Sequence, residues 1–372
     1  MKLSFEKDNL LNGINIVLKA VPSKTTMPIL DCILIDAASD EIRLTGNDTE
    51  LGIETKVDGS ILEHGKIALD AKLFSDIIRK LSSEDSRITI ESDETLNTVI
   101  TCEKSVFRIQ GKDGEEFSYI PHIERDNYIC LSQFTLKEVI RQTIFSISPN
   151  DSNKMMTGEL AEVHDNELKF VSLDGHRMSI RKVILKDHYS DIKVIIPGKT
   201  LSEISKILSG DSESEVLMFF TENHVMFEFD DTVVVSRLIE GEYFRISQML
   251  SSDYETKVVV NKRSFLDAIE RASILIREND KKPIIIQISD DGMVLKMNST
   301  IGAMSAELGI TKFGKDIMIG FNPKFLIDAL RIIDDEEVSL YMMNPKSPCF
   351  IRDDEENYTY LILPVNFNAA SI

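Results

Sequence analysis

Three ten-residue stretches, KLFSDIIRKL at 72–81, KTLSEISKIL at 199–208 and KFLIDALRII at 324–333, fit a single pattern. Each begins with Lys and places an apolar residue two positions on, an acid four on, an apolar residue five on, a base seven on and an aliphatic residue nine on. Their starts are 127 and 125 residues apart. On a helical wheel Leu73, Phe74, Ile77, Ile78 and Leu81 gather on one side, with Lys72 and Arg79 opposite, so each stretch reads as an amphipathic helix with its bases turned outward. A weaker repeat aligns Leu10 and Ile14 with Leu136 and Ile140 and with Phe265 and Ile269, and IRLTGND from Ile42 recurs as LKFVSLD from Leu168. The chain therefore reads as three copies of one domain of about 125 residues, assigned here to 1–124, 128–250 and 254–372. That agrees with a prior of two to three domains for 372 residues at ~150 per domain.

Between the helices, segments such as ILDCILIDA, EIRLTG, RITIES, VLMFF, HVMFEF, TVVVSRLI and IIIQIS alternate apolar and polar residues, the signature of half-buried strands. Helical spacing occurs over 7–21, 71–81, 132–146, 198–208, 261–275 and 323–333. EEFSYIPHIERD near 115–126 and GEYFRISQMLSSDYE near 241–255 connect the copies. Each copy is expected to be an α+β domain with two helices and more strands than helices, mostly antiparallel.

With 42% hydrophobic and 28% charged residues the chain can build cores. Its net charge of −20 argues against uniform binding to a polyanion. The charge is partitioned, however. The six helical segments hold 14 Lys and Arg against 7 Asp and Glu, a net +7, which leaves −27 on strands and loops. Asp76, Glu203 and Asp328 stand at pairing distance from the helix bases, yet two bases flank one acid in every copy. The leftover bases suit a rod-like polyanion held by phosphate contacts without sequence information.

The four cysteines, Cys32, Cys102, Cys130 and Cys349, are scattered and read as reduced core thiols. The opening MKLSFEKDNLLNG breaks any apolar run, and no stretch approaches ~18 apolar residues, so a soluble cytoplasmic protein without a membrane partner is expected. No metal or cofactor is expected. An enzyme is weighed because Asp174-Gly175-His176-Arg177 places an acid near a histidine; no G-x-S-x-G, Walker A or H-E-x-x-H motif supports it. His64, His122, His164, His188 and His224 are expected to be exposed. A repeat-built scaffold with no DNA role is the other rival.

The motifs LTGNDTEL at 44–51, DGHRM at 174–178 and YLILPVNF at 360–367, with the length and triplication, make the chain resemble the beta subunit of bacterial DNA polymerase III, the sliding clamp, over Met1 to about Phe367. The resemblance implies a non-catalytic processivity factor. Two chains of three domains would close head to tail into a ring, helices lining a hole for double-stranded DNA. A clamp loader would open it, and polymerase subunits and repair proteins would dock through short peptide motifs. Helix faces and resemblance together assign DNA contact to Lys24, Lys72, Arg79, Lys80, Arg141, Lys154, Lys199, Lys206, Lys262, Arg263, Lys324 and Arg331. The resemblance implies a partner-peptide pocket of Met156, Leu173, Gly175, His176, Arg177, Met178, Phe244, Met249, Leu361, Leu363, Pro364 and Val365. A homodimer contact is assigned to the apolar patch Phe107, Ile109, Ile274 and Leu275, because the third copy lacks the acidic run seen at that contact in some relatives. The chain departs from the family at Phe244, commonly Pro, and at Asn366, commonly basic. Lys154 and Met155 replace aromatic residues, which favours a phosphate contact from Lys154 over stacking. The five residues Asn368 to Ile372 extend past the usual end of the family, a length that could drape over the pocket.

Overall fold

The computed structural model describes residues 1–81, 87–149, 153–276 and 282–367; the expectation for Asn368 to Ile372 lies outside them. All six helical segments form: α1 Lys7–Val17, α2 Ala71–Lys80, α3 Gln133–Thr143, α4 Gly198–Ile207, α5 Lys262–Ser273 and α6 Pro323–Ile332. Their starts are fixed by local chemistry. Asp70, Asn261 and Asn322 each accept a hydrogen bond from a backbone N–H of the following turn, and Pro323 opens α6 where no N–H is needed. Basic residues close the last turns, Arg79 and Lys80 in α2, Arg271 in α5 and Arg331 in α6, where they meet the negative helix end.

Strands and helices form two compact units that do not coincide with the sequence copies. The first contains Met1–Leu136 and Glu203–Leu238. It holds a five-stranded sheet in the order Ser60–Glu63, Lys2–Glu6, Arg87–Ser92, Asn97–Cys102, Ser105–Gln110. It also holds a nine-stranded sheet in which Leu51–Lys56 of the first copy pairs antiparallel with Thr232–Arg237 of the second. The second unit contains Lys137–Ser202 and Ile239–Ile372. There a seven-stranded sheet joins the second copy to the third, Arg177–Arg181 pairing with Tyr358–Ile362, beside a four-stranded sheet. Backbone ladders thus run through both copy boundaries. The segments LKFVSL and KVIIPG belong to two long strands, Gly158–Leu173 and Arg177–Pro197, that form one hairpin.

The apolar helix faces bury against these sheets. In the third copy Phe265, Ile269, Leu326 and Leu330 meet Val258, Ile286, Met293, Leu340 and Ile351. Leu73, expected on the core side, is 46% exposed, because it sits at the margin of the apolar arc next to Lys72. Within each copy the first residue of the first helix holds the end of the second. Lys7 donates to the Leu81 carbonyl, Lys262 Nζ donates to the Ile333 carbonyl at 2.5 Å, and Gln133 Oε1 accepts from Ser209 N at 2.9 Å. The two lysines satisfy carbonyls that a helix terminus leaves open, whereas the glutamine satisfies a backbone N–H just past the end of α4.

Cys32, Cys102 and Cys349 are buried and Cys130 is half-buried. Burial pushes the Cys349 thiol up to about 12. His64, His122, His164 and His188 are exposed, whereas His224 is half-buried, contrary to expectation, because it begins the strand His224–Phe229. No helix among the described residues is long and apolar enough to cross a membrane.

Candidate peptide groove and basic helix faces

One register row of the seven-stranded sheet carries a large apolar side chain on five successive strands: Leu173, Met178, Leu361, Phe350 and Tyr341. All five are buried in one cluster, with Met156, Phe244 and Leu363 half-buried against it. The strap 241–250 lies over this floor, planting Tyr243 and Ile246 in the cluster and leaving Met249 and Leu250 exposed.

The polar border is the turn Asp174-Gly175-His176. Asp174 Oδ1 accepts from the backbone N–H groups of His176 at 2.9 Å and Arg177 at 3.1 Å, and Gly175 takes φ of 88°, a backbone angle for which glycine is suited. Leu363 N donates to His176 O and Val365 N to Gly320 O, each at 2.8 Å, so the ribbon Leu363-Pro364-Val365 forms a second border. A side chain at 320 would stand 2.8 Å from Val365 O, which explains the glycine. Six of the twelve expected pocket residues, Met156, Leu173, Met178, Phe244, Leu361 and Leu363, therefore share one apolar cluster, and the other six occupy its borders and strap.

Arg177 holds the turn to the body of the unit. Its Nε donates to Asp174 at 3.0 Å, Nη1 to Asp328 of α6 at 2.6 Å and Nη2 to Phe145 O at 2.6 Å, while Phe325 and Phe145 lie against its guanidinium plane. The carboxylate that suggested an Asp–His pair is thus committed to Arg177, and His176 is exposed beside Phe325. The Asp328 partnership differs from the expected surface pairing, because Asp328 lies on the side of α6 turned toward the Asp174 turn. Sequence reasoning also missed Tyr243, Ile246, Phe350 and Tyr341; period-two alternation in Glu337–Met342 and Cys349–Arg352 was the available signal. Arg177→Ala is expected to lower stability by about 3 kcal/mol, since it strands two partly buried carboxylates, and thermal denaturation measures this.

Close to the floor, Glu159 is fully buried, and neither carboxyl oxygen receives a hydrogen bond among the described residues. Burial pushes its carboxyl up to about 8. Thr143 is near enough to oppose that, but its hydroxyl donates to Val139 O at 2.8 Å. Burial, and then the Glu159 carboxyl, raise the Tyr243 phenol as well.

The expected DNA-contact residues fall into distinct groups. Lys24, Lys72, Lys80, Lys154, Arg263 and Lys324 are exposed and form no ion pair among the described residues. Lys199 is also exposed. Arg79 pairs with Asp76 at 3.7 Å and Lys206 with Glu203 at 2.8 Å, as spacing suggested. Arg331 instead reaches Glu270 of α5 at 2.8 Å, Asp328 being held by Arg177. Such exposed pairs are worth at most ~1 kcal/mol, so a phosphate can compete for the cation. Arg141 is held more firmly, by Glu138 at 2.6 Å, Asp334 at 2.9 Å and Ile332 O at 3.2 Å. Lys262 spends its ammonium on the end of α6. Among the described residues no group of three or more His, Cys, Asp or Glu is arranged to hold a metal.

A repeated α+β domain that carries an apolar sheet row beside a clamped turn has the makings of a binding protein. Residues 1–121, 130–244 and 247–366 match the N-terminal, central and C-terminal domain families of the DNA polymerase III beta subunit. The beta sliding clamp of Staphylococcus epidermidis is 36% identical over 378 residues, spanning 98% of this chain and 99% of that protein. The crystal structure of a DNA polymerase III beta subunit from Eubacterium rectale is 63% identical with a TM-score of 0.96, covering 99% of this chain and 100% of that one. The sliding clamp from Bacillus subtilis, at 33% identity and TM-score 0.95, also covers 99% of this chain and 100% of its own. The chain belongs to the DNA polymerase III beta subunit family, the beta sliding clamps, and is a non-catalytic processivity subunit.

Proposed function

We propose that two copies of this chain close into a ring around duplex DNA and tether polymerases and repair proteins, which dock by short peptides in the groove of the second unit. The domains are 1–124, 128–250 and 254–372, and the compartment is the cytoplasm. The observation that carries the reading is the charge partition: exposed bases on the helices, among them Lys72, Arg263 and Lys324, in a chain of net charge −20. Ring closure is supported by an open edge. Ser105–Gln110 ends its sheet and exposes Val106 and Phe107, with Ile109 half-buried, an arrangement that invites strand pairing with another chain. In the second unit Ile274 is 76% exposed and Leu275 half-buried, an apolar pair suited to the same contact. The acidic remainder keeps direct affinity for DNA low and salt-sensitive. An ATP-driven clamp loader would open the ring.

After loading onto nicked circular plasmid, the protein is expected to stay bound through gel filtration and to be lost when the plasmid is linearised. Equal retention on both forms overturns encirclement.

A further inference from the structure

The groove has a counterpart in the first unit, position for position, although Leu51 stands where Arg177 clamps the turn. The turn Asp48-Thr49-Glu50 stands 126 residues before Asp174-Gly175-His176. Asp48 Oδ1 accepts from Glu50 N at 3.0 Å and Leu51 N at 2.7 Å, as Asp174 does from His176 and Arg177, and Thr49 takes φ of 78°. Arg237 N donates to Glu50 O at 2.9 Å, as Leu363 N does to His176 O. The register row Asn47, Gly52, Val235, Met226, Phe219 repeats the row Leu173, Met178, Leu361, Phe350, Tyr341. The overlying straps also correspond, Phe117 and Ile120 matching Tyr243 and Ile246.

One position in the floor differs most. Where Met178 stands in the second unit, the first has Gly52, and the space a side chain would take there is filled by Ile120: an added Cβ would lie 2.7 Å from its Cγ1 and 3.0 Å from its Cδ1. The strap rests on bare backbone. Downstream, Ile123 is 4% exposed, whereas its counterpart Met249 is 41% exposed. We propose that the junction of the first and second copies is a latent peptide groove, shut because Gly52 leaves a place on the sheet that Ile120 fills and Ile123 seals, whereas Met178 fills that place in the second unit and Met249 stays exposed. Its ligand class would be a short extended peptide with one apolar anchor beside a polar residue, because Asn47 and Ser118 replace Leu173 and Phe244. This inference rests on the peptide-groove reading above.

Gly52→Met tests it as a gain of function. Ile120 borders a cleft of about 550 Å³ that also touches Ile123, Met226, Val233 and Val235, so it has room to swing aside without unfolding the unit. Full-length wild type, Gly52→Met, Met178→Glu and the double variant are titrated with a fluorescein-labelled pentapeptide whose single apolar residue is leucine. The expected stoichiometries per chain are one, two, none and one. A folded Gly52→Met protein that still binds one peptide overturns the proposal. If wild type binds none, the open-groove reading fails, and hydrogen exchange decides the latent groove separately. Amides of Tyr119, Ile120, His122 and Ile123 should exchange at least ten-fold faster in Gly52→Met, with 244–248 unchanged; unaltered exchange at those four overturns it.

Discussion

Wild-type protein is expected to lose stability between mildly acidic and alkaline pH, and replacing Glu159 with Gln to abolish that loss. The folded chain holds this carboxyl in a fully buried place with no hydrogen bond to either oxygen among the described residues, and its pKa rises from an ordinary 4.5 to about 8. A group whose folded pKa is raised contributes stability fully below its unfolded pKa, and that contribution is lost as pH rises through the folded one. The window therefore runs from about pH 4.5 to pH 8, and at ~1.4 kcal/mol per pH unit the loss approaches ~5 kcal/mol. Glutamine keeps the shape and removes the charge, although its amide brings donors that lack acceptors and costs ~1–3 kcal/mol. The variant should be less stable than wild type near pH 5 and more stable at pH 8.5, so the two melting-temperature curves cross. Parallel curves would show that Glu159 does not titrate in this window.

The second large effect concerns the groove itself. Met178→Glu and Leu363→Glu are each expected to weaken binding of a labelled partner peptide at least ~30-fold, or ~2 kcal/mol, the loss associated with a central apolar anchor. Met178 lies buried in the middle of the floor row, between Leu173 and Leu361, where a carboxylate has no counter-charge. Leu363 is half-buried at the border, so its replacement tests the groove with less strain on the core. Neither residue lies in the proposed closing contact, and sedimentation should give the same oligomeric state for both variants as for wild type. Unchanged peptide affinity in both would remove these residues from the site.

Phe244 keeps the groove apolar. It stands edge-on to Tyr243, their ring centroids 5.5 Å apart, and is half-buried against the floor cluster, so it adds an aromatic wall. Asn366 is exposed beyond the last backbone bond of the Leu363 to Val365 ribbon. Nothing in the structure explains that substitution.

Much of this was legible from local pattern. The wheel positions of Phe74, Ile77 and Ile78, the Asn and Asp caps and the ~125-residue repeat need only neighbours within a few residues, and they placed six helices and three copies. Pairs such as Asp76 with Arg79 are local for the same reason. The groove residues were legible only through family resemblance, since no periodicity singles out Met178 from Ile180.

What the tertiary structure alone decided involves partners distant in sequence. Asp328 looks like the acid of a helix-surface pair, yet it closes on Arg177, 151 residues away, because the Asp174 turn lies against α6. Lys262 looks like a phosphate ligand, yet it finishes the end of α6 across 71 residues. Gly52 and Met178 are unremarkable as letters, and their contrast acquires meaning only when sheet register places them under corresponding straps. Sequence periodicity determines which side of an element is apolar; register and element-on-element contact determine which groups then meet, and those meetings set whether a charge is free, paired or sealed from water.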